Sequence, residues 1–131
     1  MARPASKHPT ELEFQILKIL WNLGPLAVRD VRCALRDVEG RDLAHTSVIT
    51  VLNTMVSKKY LRRRPRANAY IFEAAMAREE ISSGIVSDLV DRVFDGSAVS
   101  LMVNLLKNEE VSPGEHAELR KLIDRYRKSK E

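Results

Sequence analysis

The 131-residue sequence predicts a mostly α-helical fold that carries one small β-hairpin. Three observations point there. Apolar residues recur at helical spacing through residues 10–58. Strand-type residues (Leu61, Tyr70 and Phe72) then flank a Pro65-Arg-Ala-Asn68 turn. After Ala77 helical stripes return, with no strand pattern among them.

The elements follow in order. Thr10 precedes Glu11-Leu-Glu-Phe14 and reads as an N-cap with Glu13 at the capping-box position. Leu12, Ile16, Ile19, Leu20 and Leu23 form the inward stripe, until Gly24-Pro25 stops the helix. Leu26-Ala27-Val28 is a short apolar run, read as a minor strand. A second helix is expected over 29–38, with Val31, Ala34, Leu35 and Val38 inward and Arg29, Arg32 and Arg36 outward. A turn at Glu39-Gly40-Arg41-Asp42 leads to a third helix over 46–58, whose inward positions are Val48, Val51, Leu52, Met55 and Val56. Two short strands are expected over 60–64 and 69–73. Helix, strand, helix, helix, hairpin is the order of a winged helix-turn-helix.

The remaining 54 residues read as three helices. Ile81, Ile85, Leu89 and Val93 make one stripe, closed by Asp95-Gly96, and Val99, Met102, Val103, Leu105 and Leu106 make the next. Ser112-Pro113-Gly114-Glu115 is a strong helix start, followed by Leu119, Leu122, Ile123 and Tyr126. Three short helices bury little apolar surface by themselves, and the run from Leu101 to Leu106 is apolar nearly all round. A second copy of the chain is the expected cover. The residues expected to make that homodimer are Ile85, Leu89, Val93, Leu101, Met102, Leu105, Leu106, Leu119, Leu122 and Ile123. The expected organisation is a flexible arm over 1–9, a winged helix-turn-helix over 10–76 and a three-helix dimerisation segment over 77–131.

Charge is distributed unevenly. Residues 1–75 carry 13 Lys/Arg against 7 Asp/Glu and residues 76–131 carry 9 against 11, so the basic excess lies in one half. The thirty residues 43–72 contain no Asp or Glu, yet hold Lys58, Lys59, Arg62, Arg63, Arg64 and Arg66. A surface that faces a polyanion has this character, because each carboxylate there would repel the phosphates. These six basic residues are the expected phosphate contacts.

The outward face of the third helix points to double-stranded DNA as the partner. It consists of His45, Thr46, Ser47, Ile49, Thr50, Asn53, Thr54 and Ser57. An ordinary solvent face would use Glu, Lys and Arg, which are better helix formers. Short neutral groups suit base edges in the major groove, Asn with adenine and methyls with thymine. In a helix-turn-helix the second helix enters that groove. His45, Thr46, Ser47, Thr50, Asn53 and Thr54 are therefore the expected base readers.

Other classes lack support. No apolar run is long enough to span a bilayer, and no apolar stretch follows the basic start to make a secretory signal, so a cytoplasmic location is expected. The single Cys33 and three scattered histidines give no metal spacing. No nucleophile motif, carboxylate pair or glycine-rich phosphate loop stands in the sequence, and His8 and His116 read as surface residues. No enzyme activity, cofactor or metal is expected. On the residues alone a ligand- or metal-sensing regulator and a protein-interaction module remain open.

The run from Glu11 to Trp21, the run from Leu43 to Met55 and the segment Arg66-Ala-Asn-Ala-Tyr70 together resemble the penicillinase-repressor family, the BlaI/MecI group. The resemblance continues through Ser100-Leu-Met-Val-Asn-Leu-Leu106 to Leu122. It implies a homodimeric repressor of inverted-repeat operators, with Thr46, Ser47 and Thr50 against DNA. It also implies release by proteolysis, prompted by a membrane-bound metalloprotease sensor, at a position that here is Asn104-Leu105. This chain has Leu105 where relatives carry Phe, Thr54 where they usually carry Arg, and Lys59 at a place that favours Gly.

Overall fold

The computed structural model describes residues 8–130, the side chain of Lys130 excepted. Among the described residues nine elements run in the order α1 (Glu11–Leu23), β1 (Leu26–Ala27), α2 (Val28–Glu39), α3 (His45–Ser57), β2 (Leu61–Arg66), β3 (Ala69–Ala74), α4 (Arg78–Val93), α5 (Ala98–Asn108) and α6 (Pro113–Lys130). The fold is mostly α with a small three-stranded antiparallel sheet, in strand order β1-β3-β2. Of the arm expected over 1–9, residues 1–7 lie outside the described residues, and His8 and Pro9 are half-buried.

The described residues cluster into two compact units, one running up to Val86 and one from Ser87 onward. In the first unit the capping box closes α1. The Glu13 N–H donates to Thr10 Oγ1 at 3.2 Å, and the Thr10 N–H donates to Glu13 Oε1 at 2.9 Å. Ile16, Leu17 and Leu20 from α1, Val31 and Leu35 from α2, and Val48, Leu52 and Met55 from α3 meet in one core with Leu61 and Phe72 from the hairpin. Three-residue and four-residue spacing puts each of these sets on one helical face. Val38 departs from its expected inward position. It stands one turn beyond Leu35 at the open end of α2 and is 71% exposed. Leu23, in the last turn of α1, is likewise exposed.

The hairpin is longer than its turn signals imply. Pro65 and Arg66, expected in the turn, continue β2 and pair with Tyr70 and Ala69. β2 is an edge strand, where the missing N–H of Pro65 leaves no ladder bond unmade. The connection shrinks to Ala67-Asn68, with Ala67 at φ +55°, where two-residue hairpin loops favour Gly. β1 pairs Leu26 with Phe72 and Ala27 with Ile71, while Val28, expected in that strand, opens α2.

Lys59, just past α3, has φ +70°. A left-handed backbone costs a non-glycine residue about 1–2 kcal/mol, partly offset by the extra entropy glycine loses on folding. Lys59→Gly is therefore expected to raise stability by about 0.5–1 kcal/mol, read as a higher denaturant midpoint at unchanged slope.

Trp21 fastens the exit of the hairpin to α1. Its Nε1–H donates to the Met76 carbonyl at 2.9 Å, Phe14 meets its ring edge to face, and the Arg78 guanidinium lies 5.2 Å from the ring centroid. Ile81, in the first turn of α4, is 4% exposed and belongs to the core of this unit, with Ile85 packed against it. Both were expected to serve the C-terminal segment.

In the second unit, Ser97 caps α5 by accepting from the Ser100 N–H at 3.1 Å. The start of α6 forms a capping box: the Glu115 N–H donates to Ser112 Oγ and the Ser112 N–H to Glu115 Oε1. α5 contains no buried residue.

Candidate nucleic-acid interface

The residues expected to face DNA are set on α3 and the hairpin, both anchored by the core described above. Val48, Leu52 and Met55 turn one side of α3 inward, which leaves His45, Thr46, Ser47, Thr50 and Thr54 exposed and Asn53 half-buried. All six sequence-predicted readers thus share the outward side of one helix. Thr50 Oγ1 donates to the Thr46 carbonyl at 2.8 Å, Thr54 Oγ1 to the Thr50 carbonyl at 2.9 Å, and Ser57 Oγ to the Asn53 carbonyl at 3.2 Å. Each hydroxyl proton is spent on the helix itself. What the Thr50 and Thr54 side chains offer outward is an oxygen that accepts and a methyl group, which together suit base amino groups and thymine methyls.

The six basic residues are not placed alike. Lys58 Nζ lies 2.9 Å from Glu13 Oε2 and 3.2 Å from Oε1, joining the end of α3 to the start of α1. Glu13 is almost wholly buried, so this contact compensates a carboxylate removed from water. Tyr60 stands nearby, and burial, with the Glu13 charge second, pushes its hydroxyl above its ordinary range. Lys59 is exposed.

On β2, alternation separates the arginines. Arg62 pairs with Glu73 and Arg64 with Ile71 across the ladder, so both leave the same face of the hairpin. Arg62 Nε lies 3.6 Å and Arg64 Nη2 4.0 Å from the Glu73 carboxylate, with both arginine side chains mostly exposed. Arg63 pairs with Phe72 and leaves the other face, toward α3. Its Nη1 donates to Asn53 Oδ1 at 2.6 Å, and its guanidinium carbon lies 4.7 Å from the Tyr70 ring centroid. Arg66 is exposed at the hairpin tip. Asn53, Arg63 and Tyr70 line a concavity of about 410 Å³ with Arg29, His45 and Ile49, between the start of α2, α3 and the hairpin.

Sequence reasoning missed Glu13 and Glu73 as partners of this basic group. Both lie outside the acid-free stretch, Glu73 by one residue. The signal for Glu73 was available in hairpin pairing, which sets it across from Arg62; the signal for Glu13 was not, since it comes from 45 residues away. Among the described residues no group of three His, Cys, Asp or Glu is placed to hold a metal ion, and no helix is long and apolar enough to cross a membrane.

The penicillinase repressor family model matches residues 9–125. A penicillinase repressor of Staphylococcus aureus is 19% identical over 112 residues, covering 86% of this chain and 87% of that protein. The crystal structure of a transcriptional regulator from Thermotoga maritima aligns over 89% of this chain and 77% of its own, at 19% identity and a TM-score of 0.43. The family match spans both units and the whole of α3 and the hairpin. The chain belongs to the penicillinase-repressor family and is a transcriptional regulator, not an enzyme.

Proposed function

We propose that the chain is a homodimeric cytoplasmic repressor that binds an inverted-repeat operator, with α3 in the major groove and the basic hairpin on the backbone. The observation that carries this reading is the outward side of α3. It is built of short neutral polar groups within a thirty-residue stretch free of carboxylates. Such a side sacrifices helix propensity and solvation by charge, and base-edge contact is what those groups can supply in return.

Dimerisation through residues 77–131 is supported by exposed apolar side chains on α5 and α6. Met102, Leu105, Leu106, Leu119, Leu122 and Ile123 are all substantially exposed, and most of them line a cleft of about 340 Å³ between the two helices. Of the other residues assigned to the interface, Leu89 and Val93 are exposed and Leu101 is half-buried, while Ile85 packs on the first unit. Release by cleavage at Asn104-Leu105 rests on the family resemblance. Both side chains are exposed, but the bond lies inside α5, where the Asn104 carbonyl also accepts from Asn108 Nδ2 at 2.9 Å. A membrane-bound metalloprotease sensor, or a protease it prompts, would need α5 to unwind there before cutting.

The test uses the full chain and an inverted repeat recovered from genomic fragments. Thr50→Ala should cost about 1–3 kcal/mol on that operator and almost nothing on random DNA. Equal loss on both would show that the outward side of α3 does not read bases.

A further inference from the structure

We propose that Arg63 is a specificity-determining residue that reads guanine, and that Asn53 and Tyr70 hold its guanidinium in position. The assignment deepens the reading above, since it depends on α3 lying in the major groove.

In the sequence Arg63 is the middle of a three-arginine run, and nothing distinguishes it from its neighbours except alternation. In the structure it is separated from them. Arg62 and Arg64 lean on Glu73 from one face of the hairpin, whereas Arg63 leaves the face of Phe72 and reaches α3. Two contacts fix its plane: the 2.6 Å hydrogen bond from Nη1 to Asn53 Oδ1, and the Tyr70 ring 4.7 Å from the guanidinium carbon. A phosphate contact needs only a positive charge within reach and tolerates a mobile side chain. A base contact needs an oriented pair of donors. With Nη1 engaged by Asn53, the Nε–Nη2 edge still presents two parallel N–H groups. That is the pair that matches O6 and N7 of guanine in the major groove.

The same bond redefines Asn53. An asparagine that reads adenine uses Oδ1 to accept from N6 and Nδ2 to donate to N7, in one plane. Here Oδ1 is turned to Arg63, so Asn53 serves as a positioning residue and its influence on specificity passes through the arginine. Its position on the outward side of α3 places the guanidinium beside the helix that enters the groove, rather than out on the hairpin's far face.

The experiment is selection of binding sites from a randomised DNA pool with the full chain and its Arg63→Lys, Arg63→Ala, Asn53→Ala and Asn53→Asp variants. The wild-type chain should enrich a guanine at one position of each half-site. Replacing that guanine with 7-deazaguanine should weaken wild-type binding about tenfold, with little effect on Arg63→Ala. Arg63→Lys keeps the charge but not the rigid pair of donors, and should weaken the guanine preference while holding random DNA as before. Asn53→Ala should blur the preference. Asn53→Asp, which keeps an acceptor for Nη1, should retain it while lowering affinity for all sequences alike. The assignment is overturned if Arg63→Ala enriches the same guanine. It is equally overturned if Arg63→Ala weakens all sequences evenly and lowers the salt slope by about one, the signature of a phosphate contact. A wild-type chain that retains DNA without any sequence preference would instead overturn the operator reading, and this assignment with it.

Discussion

Lys58→Met is expected to lower the stability of the N-terminal unit by about 2–3 kcal/mol while leaving the salt dependence of DNA binding unchanged. The substitution keeps the aliphatic stem and removes the ammonium that lies 2.9 Å from Glu13 Oε2. The Glu13 side chain is only 4% exposed, so its carboxylate would be left with the Thr10 N–H as its remaining described donor. Breaking a fully buried pair costs about 3–5 kcal/mol; the Lys58 side chain retains 27% exposure, so water can take up part of the loss. Unfolding by denaturant measures the cost. Adding Glu13→Gln should recover much of it, because the double variant no longer strands a charge. A phosphate contact behaves differently: its removal would reduce the slope of log K against log salt by about 0.9 with little change in stability. That result would return Lys58 to the DNA surface.

The second large effect concerns where the chain can be cut. A chain ending at Val86 is expected to fold and to bind a half-site as a monomer, with operator affinity lower by about 10²–10⁴ because two half-sites are no longer engaged together. A chain ending at Ala77 should fare much worse. It loses Ile81, which is 4% exposed within the core, and Ile85 beside it. Truncating one buried isoleucine to alanine alone costs about 2–5 kcal/mol. Thermal unfolding of the two shortened chains separates the cases. Equal stability would remove Ile81 from the core. A chain ending at Val86 that held the full operator as tightly as the intact protein would refute dimerisation through the C-terminal helices.

Much of this was legible in the sequence, for reasons that differ by element. The helices announce themselves because capping and periodicity act within a few residues: Thr10 with Glu13, and Ser112 with Glu115, meet as the spacing requires. The outward side of α3 was equally plain, since 3.6-residue geometry assigns Thr46, Ser47, Thr50, Asn53 and Thr54 once Val48, Leu52 and Met55 are placed inside. The division within α4, between Val86 and Ser87, was not legible. Ile81 and Leu89 sit on one stripe, and only the tertiary packing shows that the first belongs to the N-terminal core. The individual roles of the basic residues were hidden for a related reason. Whether Lys58 meets Glu13, or Arg63 meets Asn53, is decided by contacts 45 and 10 residues apart, which no local pattern encodes.

Trp21 gives the molecule a built-in optical reporter. It is the only tryptophan in the chain, and it sits where α1, the Met76 carbonyl and Arg78 converge. An indole whose N–H is bonded and whose face carries a cation emits differently from one released to water. Its fluorescence therefore tracks whether the segment leading into α4 stays fastened to α1, with no dye attached. Followed in real time after a protease is added, that signal would show whether severing α5 disturbs the N-terminal unit or leaves it whole.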